Sequence, residues 1–217
     1  MLAVAHDASV LWLTGDDLLS FLDGLSSNLV DGPCTTVFMT PKAKIIDVVD
    51  VIPKDNGVAL VGWLPNKDRL LTHLVERAVG RTVNLHDVSH LNQVVLSESK
   101  PNDEAGVTVH KSFFGWMRIA PHAQSVEPTL TENEWNEHRI VNILPYFGRE
   151  ITDRHHPLAC GLGSLVHENK GCYVGQELMA RMRSRGRQGH ALVAHDTEVE
   201  GATTVGLSGC LAIQRVQ

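Results

Sequence analysis

Antiparallel pairing in the first third of the chain is the strongest constraint on the fold. Two apolar runs rich in Val and Ile, at residues 44–52 and 58–63, flank the segment Pro53-Lys-Asp-Asn-Gly57. A cluster of Pro, Asp, Asn and Gly between apolar runs is typical of a tight turn, so this pattern predicts a β-hairpin. Apolar runs at residues 9–13 and 35–40 predict further strands beside it.

Helical periodicity follows in two places. Leu18, Leu22 and Leu25 recur at i, i+4 and i+7, which predicts an amphipathic helix with Thr14 as its N-cap. Residues 66–79 predict a second helix, because the apolar side chains again fall on one face. That face carries Leu70, Leu71, Leu74, Val75 and Ala78.

The second half repeats this mixture of strands and helix. Residues 93–96, 107–110 and 116–120 predict strands, and Thr131-Glu-Asn-Glu134 is a capping box that opens a helix ending before Pro145. Residues 190–195 and 210–216 predict a terminal hairpin. The expected fold class is α+β, with subdomains at about 1–90 and 91–189 and a short β segment at 190–217.

Composition narrows the class of protein. The chain has 217 residues, of which 43% are hydrophobic and 20% charged, which is ordinary for a globular domain. Its net charge of −6 does not suggest a dominant nucleic-acid or membrane-surface role. The N-terminus lacks a secretory pattern, no apolar run reaches ~20 residues, and no cysteine pair forms CxxC. We therefore expect a protein of a reducing cytoplasm that holds no permanently bound metal.

The densest cluster of unusual residues is Lys170-Gly-Cys-Tyr-Val-Gly-Gln-Glu177. Helix-forming residues follow it, so a helix starting near Gly175 would direct free N–H groups towards Cys172. A helix N-terminus and a nearby Lys170 would both favour the thiolate form of that cysteine. The alternative is an inert buried cysteine in a tight turn.

A run of arginines follows this cluster, at every second position: Arg181, Arg183, Arg185 and Arg187. Between residues 170 and 187 there are five basic side chains and one acid, a local charge of +4 in a chain of −6. This contrast favours a basic patch for tRNA or another anion, such as a phosphate or a polyglutamate tail. The alternative is a solvated charged edge, and on a helix the four side chains would fan out.

The eight-residue cluster resembles the K-G-C-[FY]-x-G-Q-E signature of the YgfZ/GcvT-like folate-binding proteins, relatives of the glycine-cleavage T-protein, an aminomethyltransferase. Other segments resemble the family in the same order along about residues 9–193. They are Thr14-Gly-Asp-Asp17 with Phe21-Leu22, Pro41-Lys-Ala-Lys-Ile-Ile46, and Arg139-Ile140 followed by Glu150-Ile-Thr-Asp153.

This resemblance implies a multi-lobed fold of antiparallel sheets with flanking helices, and tetrahydrofolate or a related reduced folate as ligand. It also implies an accessory role in iron–sulfur cluster assembly or repair in client proteins, including a tRNA-modifying enzyme. Cys172 would be the reactive thiol. The expected folate contacts are Lys170, Gly171, Tyr173, Gly175, Gln176, Glu177, Arg181, Arg139 and Trp116.

Two positions and the C-terminal segment depart from the family pattern. Ala159 stands where a folate-contacting glutamate is often found, and Ala43 replaces the glycine after Pro41-Lys42. Only about twenty-five residues follow where the family usually carries a β-barrel-like domain, so the resemblance predicts a shortened C-terminal β stub.

An aspartate supports an alternative function, aminomethyltransferase-like one-carbon transfer. Asp47 lies in the apolar segment Ile45-Ile-Asp-Val-Val-Asp50, where the T-protein resemblance places its first aspartate. If Asp47 faced inwards its pKa would rise, and the carboxylate could orient or protonate a folate ring nitrogen. The competing interpretation is that Asp47 and Asp50 lie on opposite strand faces, with at least one in water.

Overall fold

Three antiparallel sheets organise residues 3–184 and 189–216, the part of the chain that the computed structural model describes. The strands and helices follow in this order: β1 (Ala3–Ala5), β2 (Ala8–Gly15), α1 (Leu18–Asp23), β3 (Cys34–Met39), β4 (Ile45–Lys54), β5 (Gly57–Trp63), α2 (Lys67–Arg77), β6 (Val83–Asp87), β7 (Asn92–Ser97), β8 (Thr108–Ser112), β9 (Gly115–Pro121), α3 (Glu132–Asn142), α4 (Gln176–Ser184), β10 (His190–His195), β11 (Ala202–Gly206) and β12 (Gly209–Arg215). The predicted mixed α+β class is confirmed.

The predicted hairpin forms the centre of the five-stranded sheet, whose order is β3-β4-β5-β2-β6. Its turn is tighter than predicted, because Lys54 already pairs with Gly57 and only Asp55 and Asn56 connect the strands. A two-residue connection matches the twist of an antiparallel pair and sets its register.

Strand β4 is buried on both faces. Val48 and Ile52 pack with the inner residues of the four-stranded sheet β1-β7-β9-β8. Val49 and Val51 pack with apolar side chains of α1 and α2. The five-stranded sheet is therefore a middle layer, and its central residues have no access to water. The interpretation that Asp47 or Asp50 faces water is wrong, because both are buried.

Two local predictions have different outcomes. The capping box of α3 is confirmed: Thr131 Oγ1 accepts from the Glu134 backbone N–H at 3.3 Å, and Glu134 Oε2 accepts from the Thr131 N–H at 2.8 Å. The Thr14 cap of α1 is wrong, because Thr14 remains in β2 and pairs with Asn84 of β6. Asp17 occupies the N-cap instead, at φ 52°.

The C-terminal segment forms a three-stranded sheet of order β10-β12-β11 instead of a two-stranded hairpin. It packs against α3, where Glu137 accepts hydrogen bonds from the backbone N–H groups of Leu207 and Ser208. This contact explains how a sheet of so few residues is stable, since part of its core comes from the main body. Among the described residues, none of the helices has the length and apolarity needed to cross a membrane.

Candidate functional site

The eight-residue cluster at residues 170–177 is here called the signature loop. Near its C-terminal end it is anchored by a glycine. Helix α4 begins at Gln176, as predicted, and Gly175 before it has φ 87°. A Cβ on Gly175 would lie 2.9 Å from the carbonyl oxygen of Thr40, closer than side chains normally approach. The loop therefore packs directly on the turn between β3 and β4. In that turn Ala43 has φ 53°, a left-handed conformation that explains why the family pattern has glycine there.

The other end of the loop is anchored by a buried ammonium group. The Lys170 side chain is fully buried, and its Nζ donates to Asp23 Oδ1 at 2.8 Å. Nζ also donates to the backbone carbonyls of Asp23, Ser26 and Asn28, at 2.6–3.0 Å. Burial lowers the pKa of Lys170, and the Asp23 carboxylate opposes that shift. All these contacts lie at the last residue of α1 or in the segment after α1, so the lysine fixes the loop to that part of the chain.

Between these anchors Cys172 is exposed, so the interpretation of a buried cysteine is wrong. The other three cysteines are at least partly buried. Burial raises the pKa of the Cys34 thiol to about 11 and that of Cys160 to about 12. A thiol must be both accessible and able to form a thiolate in order to react. Of the four cysteines, Cys172 is therefore the one that meets the requirement of accessibility.

The arginines after the loop have different environments. Arg181 is exposed and pairs with Glu177 at 3.0 Å, one helical turn earlier. Arg183 is turned inwards and donates to the carbonyls of Gly163 and Val166, at 3.2 and 2.7 Å. The two side chains fan out from α4 and do not form a single charged face. Arg185 and Arg187 lie outside the described residues.

Asp47 is a carboxylate in the interior, on the face of β4 that meets α2. Its Oδ1 accepts from the Val48 N–H at 2.9 Å and from Asn66 Nδ2 at 2.8 Å, and its Oδ2 accepts from the Trp63 N–H at 3.1 Å. Burial raises its pKa to about 7, although these three donors act in the opposite direction. Asp47 thus faces inwards, which is the condition that the sequence analysis set for a raised pKa.

Asp50 is a second interior carboxylate, and sequence reasoning assigned it no role. It lies on the opposite face of β4 and accepts hydrogen bonds from Thr35 at 2.5 Å and Ser112 at 2.8 Å. The ring nitrogen Nε2 of His110 lies 3.2 Å from it. Ser112 and His110 belong to β8, so Asp50 links the two larger sheets. The sequence signal that could have identified it is a carboxylate between two valines, Val49 and Val51, in a strand.

Two of the predicted folate contacts, Arg139 and Trp116, make contacts with other parts of the protein. Arg139 is 1% exposed, and its guanidinium donates to Glu150, Asn136, Leu144 O and Thr204. It therefore joins α3 to the C-terminal sheet. Trp116 lies on β9 beside two ammonium groups, with Lys111 Nζ 5.3 Å and Lys100 Nζ 6.0 Å from its ring centroid. Ala159 is buried in the core.

Comparison with known proteins shows which proteins this chain is similar to. No protein-family model matches the chain. It is 24% identical to the tRNA-modifying protein YgfZ of Vibrio atlanticus, over 86% of this chain but only 66% of that protein's length. An 80-residue segment is 36% identical to an aminomethyltransferase of Symbiobacterium thermophilum, covering 29% of this chain and 21% of that protein. The crystal structure of aminomethyltransferase T from Bartonella henselae has the same fold, with a TM-score of 0.71, 14% identity, and coverage of 96% of this chain and 76% of the other.

The chain is YgfZ/GcvT-like. In this YgfZ/GcvT-like fold the expected folate contacts occupy separate environments. Glu177 and Arg181 line a cavity of about 250 Å³ with Pro41, Lys42 and Leu178. Gln176 is engaged within the loop, where its Oε1 accepts from the Tyr173 N–H at 3.4 Å. Tyr173 is half-buried against the core, and Gly171 borders open space.

The fit of these residues to a folate is incomplete. Lys170 and Arg139 direct their N–H donors at protein acceptors. Trp116 lies in the four-stranded sheet, between the ammonium groups of Lys111 and Lys100. A cavity of about 250 Å³ is smaller than the 300–1,000 Å³ typical of sites for drug-sized ligands. The predicted set does not form a folate cradle in this geometry, and we derive no chemical step from a bound folate.

Proposed function

We propose that this YgfZ/GcvT-like protein is an accessory factor that supports iron–sulfur cluster assembly or repair in client enzymes, including tRNA-modifying ones, and that it binds a reduced folate, as the family resemblance implies, through contacts other than the predicted set. The observation that carries the proposal is the exposed Cys172 within a complete signature loop. Lys170 and Gly175 hold the two ends of that loop, so the thiol has a fixed position on the surface. Similarity to a protein named tRNA-modifying protein YgfZ supports the choice of clients.

One exposed thiol limits what the protein does with a cluster. Iron–sulfur clusters are normally held by four ligands, and Cys172 supplies one. Among the described residues, no group of three or more His, Cys, Asp or Glu side chains has the arrangement of a metal site. In this proposal the thiol is a transient ligand of a cluster, and the other ligands of that cluster belong to the client protein.

The geometry of Asp47 favours this role over aminomethyl transfer. A general acid or base must come within hydrogen-bond distance, about 2.6–3.2 Å, of the reacting atom. Asp47 is 0% exposed, and both of its oxygens already accept hydrogen bonds from the protein. The alternative of a transferase using Asp47 therefore gains no support from this arrangement.

The decisive test is genetic complementation in a strain that lacks the protein. We expect Cys172→Ala to abolish rescue of iron–sulfur enzyme activity while the protein remains folded, as measured by circular dichroism. Cys34→Ala is the matched control, because that thiol is half-buried and burial raises its pKa. Full rescue by Cys172→Ala would refute the proposal.

Folate binding is tested separately by anaerobic calorimetric titration with tetrahydrofolate, with and without a glutamate tail. Saturable one-site binding supports the folate part of the proposal. Absence of binding by the folded protein at the highest soluble concentration would refute that part and leave the thiol function to the complementation result.

A further inference from the structure

A second cavity borders the β3–β4 turn. It is an open depression of about 460 Å³, lined by α2, by Ile46 and by the turn residues Thr40 and Pro41. Thr40 is also the residue whose carbonyl oxygen faces Gly175. The volume is within the range of small-molecule sites. This cavity does not include Cys172, Asp47 or any of the expected folate contacts.

Part of the cavity lining is apolar. Pro41, Ile46 and the ring of His73 line it. His73 is 5% exposed and meets Phe38 edge to face, with ring centroids 6.0 Å apart. Burial, with the nearby charge of Arg77, lowers the pKa of His73 to about 4, so the ring is neutral at pH 7. Its Nε2 has no hydrogen-bond partner among the described residues.

The rim of the cavity carries charges of both signs. Arg69, Arg77, Asp68 and Glu76 line it, so their formal charges cancel. Arg77 lies 3.4 Å from the Glu76 carboxylate and donates to His73 O at 3.1 Å. Arg69 is exposed and makes one long hydrogen bond, 3.4 Å, to Ile45 O. A guanidinium has five N–H donors, so most of those on Arg69 remain open. Among the described residues, the Asp68 carboxylate has no ion pair or hydrogen bond.

We propose that this cavity binds a small zwitterion with an apolar body, such as a free amino acid. The ligand carboxylate pairs with the guanidinium of Arg69, and its ammonium pairs with the carboxylate of Asp68. Its apolar side chain lies on Pro41, Ile46 and the His73 ring. A polyanion fits less well, because the carboxylates of Asp68 and Glu76 would repel it. In addition, Arg77 is already paired with the Glu76 carboxylate. The proposal is independent of the iron–sulfur and folate functions.

Titration calorimetry with leucine as the probe tests this assignment, because two analogues each remove one charge. N-acetyl-leucine keeps the carboxylate, and leucinamide keeps the ammonium. We expect leucine to bind saturably and each analogue to bind roughly tenfold more weakly or worse, since hydrogen bonds to charged groups are the stronger ones.

Variants assign the two contacts. Arg69→Gln should weaken leucine binding by roughly tenfold and leave leucinamide unaffected. Asp68→Asn should weaken leucine and leave N-acetyl-leucine unaffected. Arg81→Gln is the charge-matched control, because Arg81 lies over the Phe21 ring and outside the cavity. N-acetyl-leucine binding as tightly as leucine, unchanged binding by Arg69→Gln, or no saturable binding at millimolar leucine would each overturn the proposal.

Discussion

Replacing Asp47 by Asn should change how the stability of the protein depends on pH. The pKa of Asp47 is raised from 3.8 to about 7, with burial as the main cause. Between those two values the folded protein keeps a proton that the unfolded chain has lost. Stability therefore falls as pH rises from about 4 to about 7, and this contribution is constant above the folded pKa.

The size of the effect follows from the difference in pKa. A difference of about 3 units, at about 1.4 kcal/mol per unit, corresponds to about 4 kcal/mol of unfolding free energy. Because the group is fully buried, solvent screening does not reduce this figure. Between pH 5 and pH 8 the same relation gives about 2.5 kcal/mol. Asn cannot ionise, so the variant lacks this dependence, although its amide fits the three N–H donors around Asp47 less well.

Urea denaturation of the native protein and the Asp47→Asn variant at pH 5, 6, 7 and 8 measures the effect. The unfolding free energy of the native protein minus that of the variant should fall by about 2.5 kcal/mol from pH 5 to pH 8. Taking the difference cancels titrations that both proteins share. Asp55→Asn is the control, because Asp55 is exposed in the β4–β5 turn. A difference that changes by less than about 1 kcal/mol from pH 5 to pH 8 would refute the argument.

Three further substitutions test the contacts that hold the signature loop in place and the buried ion pair in the core. Lys170→Met should lower the unfolding free energy by about 2–3 kcal/mol in urea titrations, since Asp23 loses its charged donor; a loss below about 1 kcal/mol would contradict the anchoring role. Gly175→Ala should cost about 2 kcal/mol or more, from its positive φ and its contact with Thr40 O, whereas Gly171→Ala, which borders open space, should leave the thermal midpoint nearly unchanged. Glu150→Gln should cost about 3–5 kcal/mol because it leaves Arg139 buried without its counter-charge. Its control, Glu132→Gln, removes the exposed partner of Arg149 and should cost under about 1 kcal/mol; similar losses in both would contradict the assignment.

The strands that the sequence revealed are those with an apolar face. The β4–β5 hairpin and β7 to β9 could be predicted because burial imposes a hydrophobic pattern on them. Strand β6 was missed because it is an edge strand whose polar residues Asn84, His86 and Asp87 are exposed. Strand β11 was missed because it is short and polar and depends on α3 for its packing.

The candidate site was predictable in composition but only partly in geometry. Spacing identified the 170–177 segment and the helix after it, since both are local. It did not show that Lys170 contacts the segment after α1, about 145 residues earlier in the chain, or that Arg139 pairs with Glu150 inside the core. Such contacts depend on tertiary packing, and a basic residue in a motif gives the same sequence signal whether it binds a ligand or a carboxylate of its own chain.

The signature loop therefore contains residues with two different physical roles, and this affects how its variants are interpreted. Lys170 and Gly175 fix the loop to the segment after α1 and to the turn after β3. Within the described part of the chain, Cys172 makes no such anchoring contact, and it is exposed between them. Loss of function in a Lys170 or Gly175 variant is expected from a displaced loop alone, and it says little about chemistry. Loss of function in Cys172→Ala at unchanged stability would instead identify the thiol itself, because truncating an exposed side chain leaves both anchors in place.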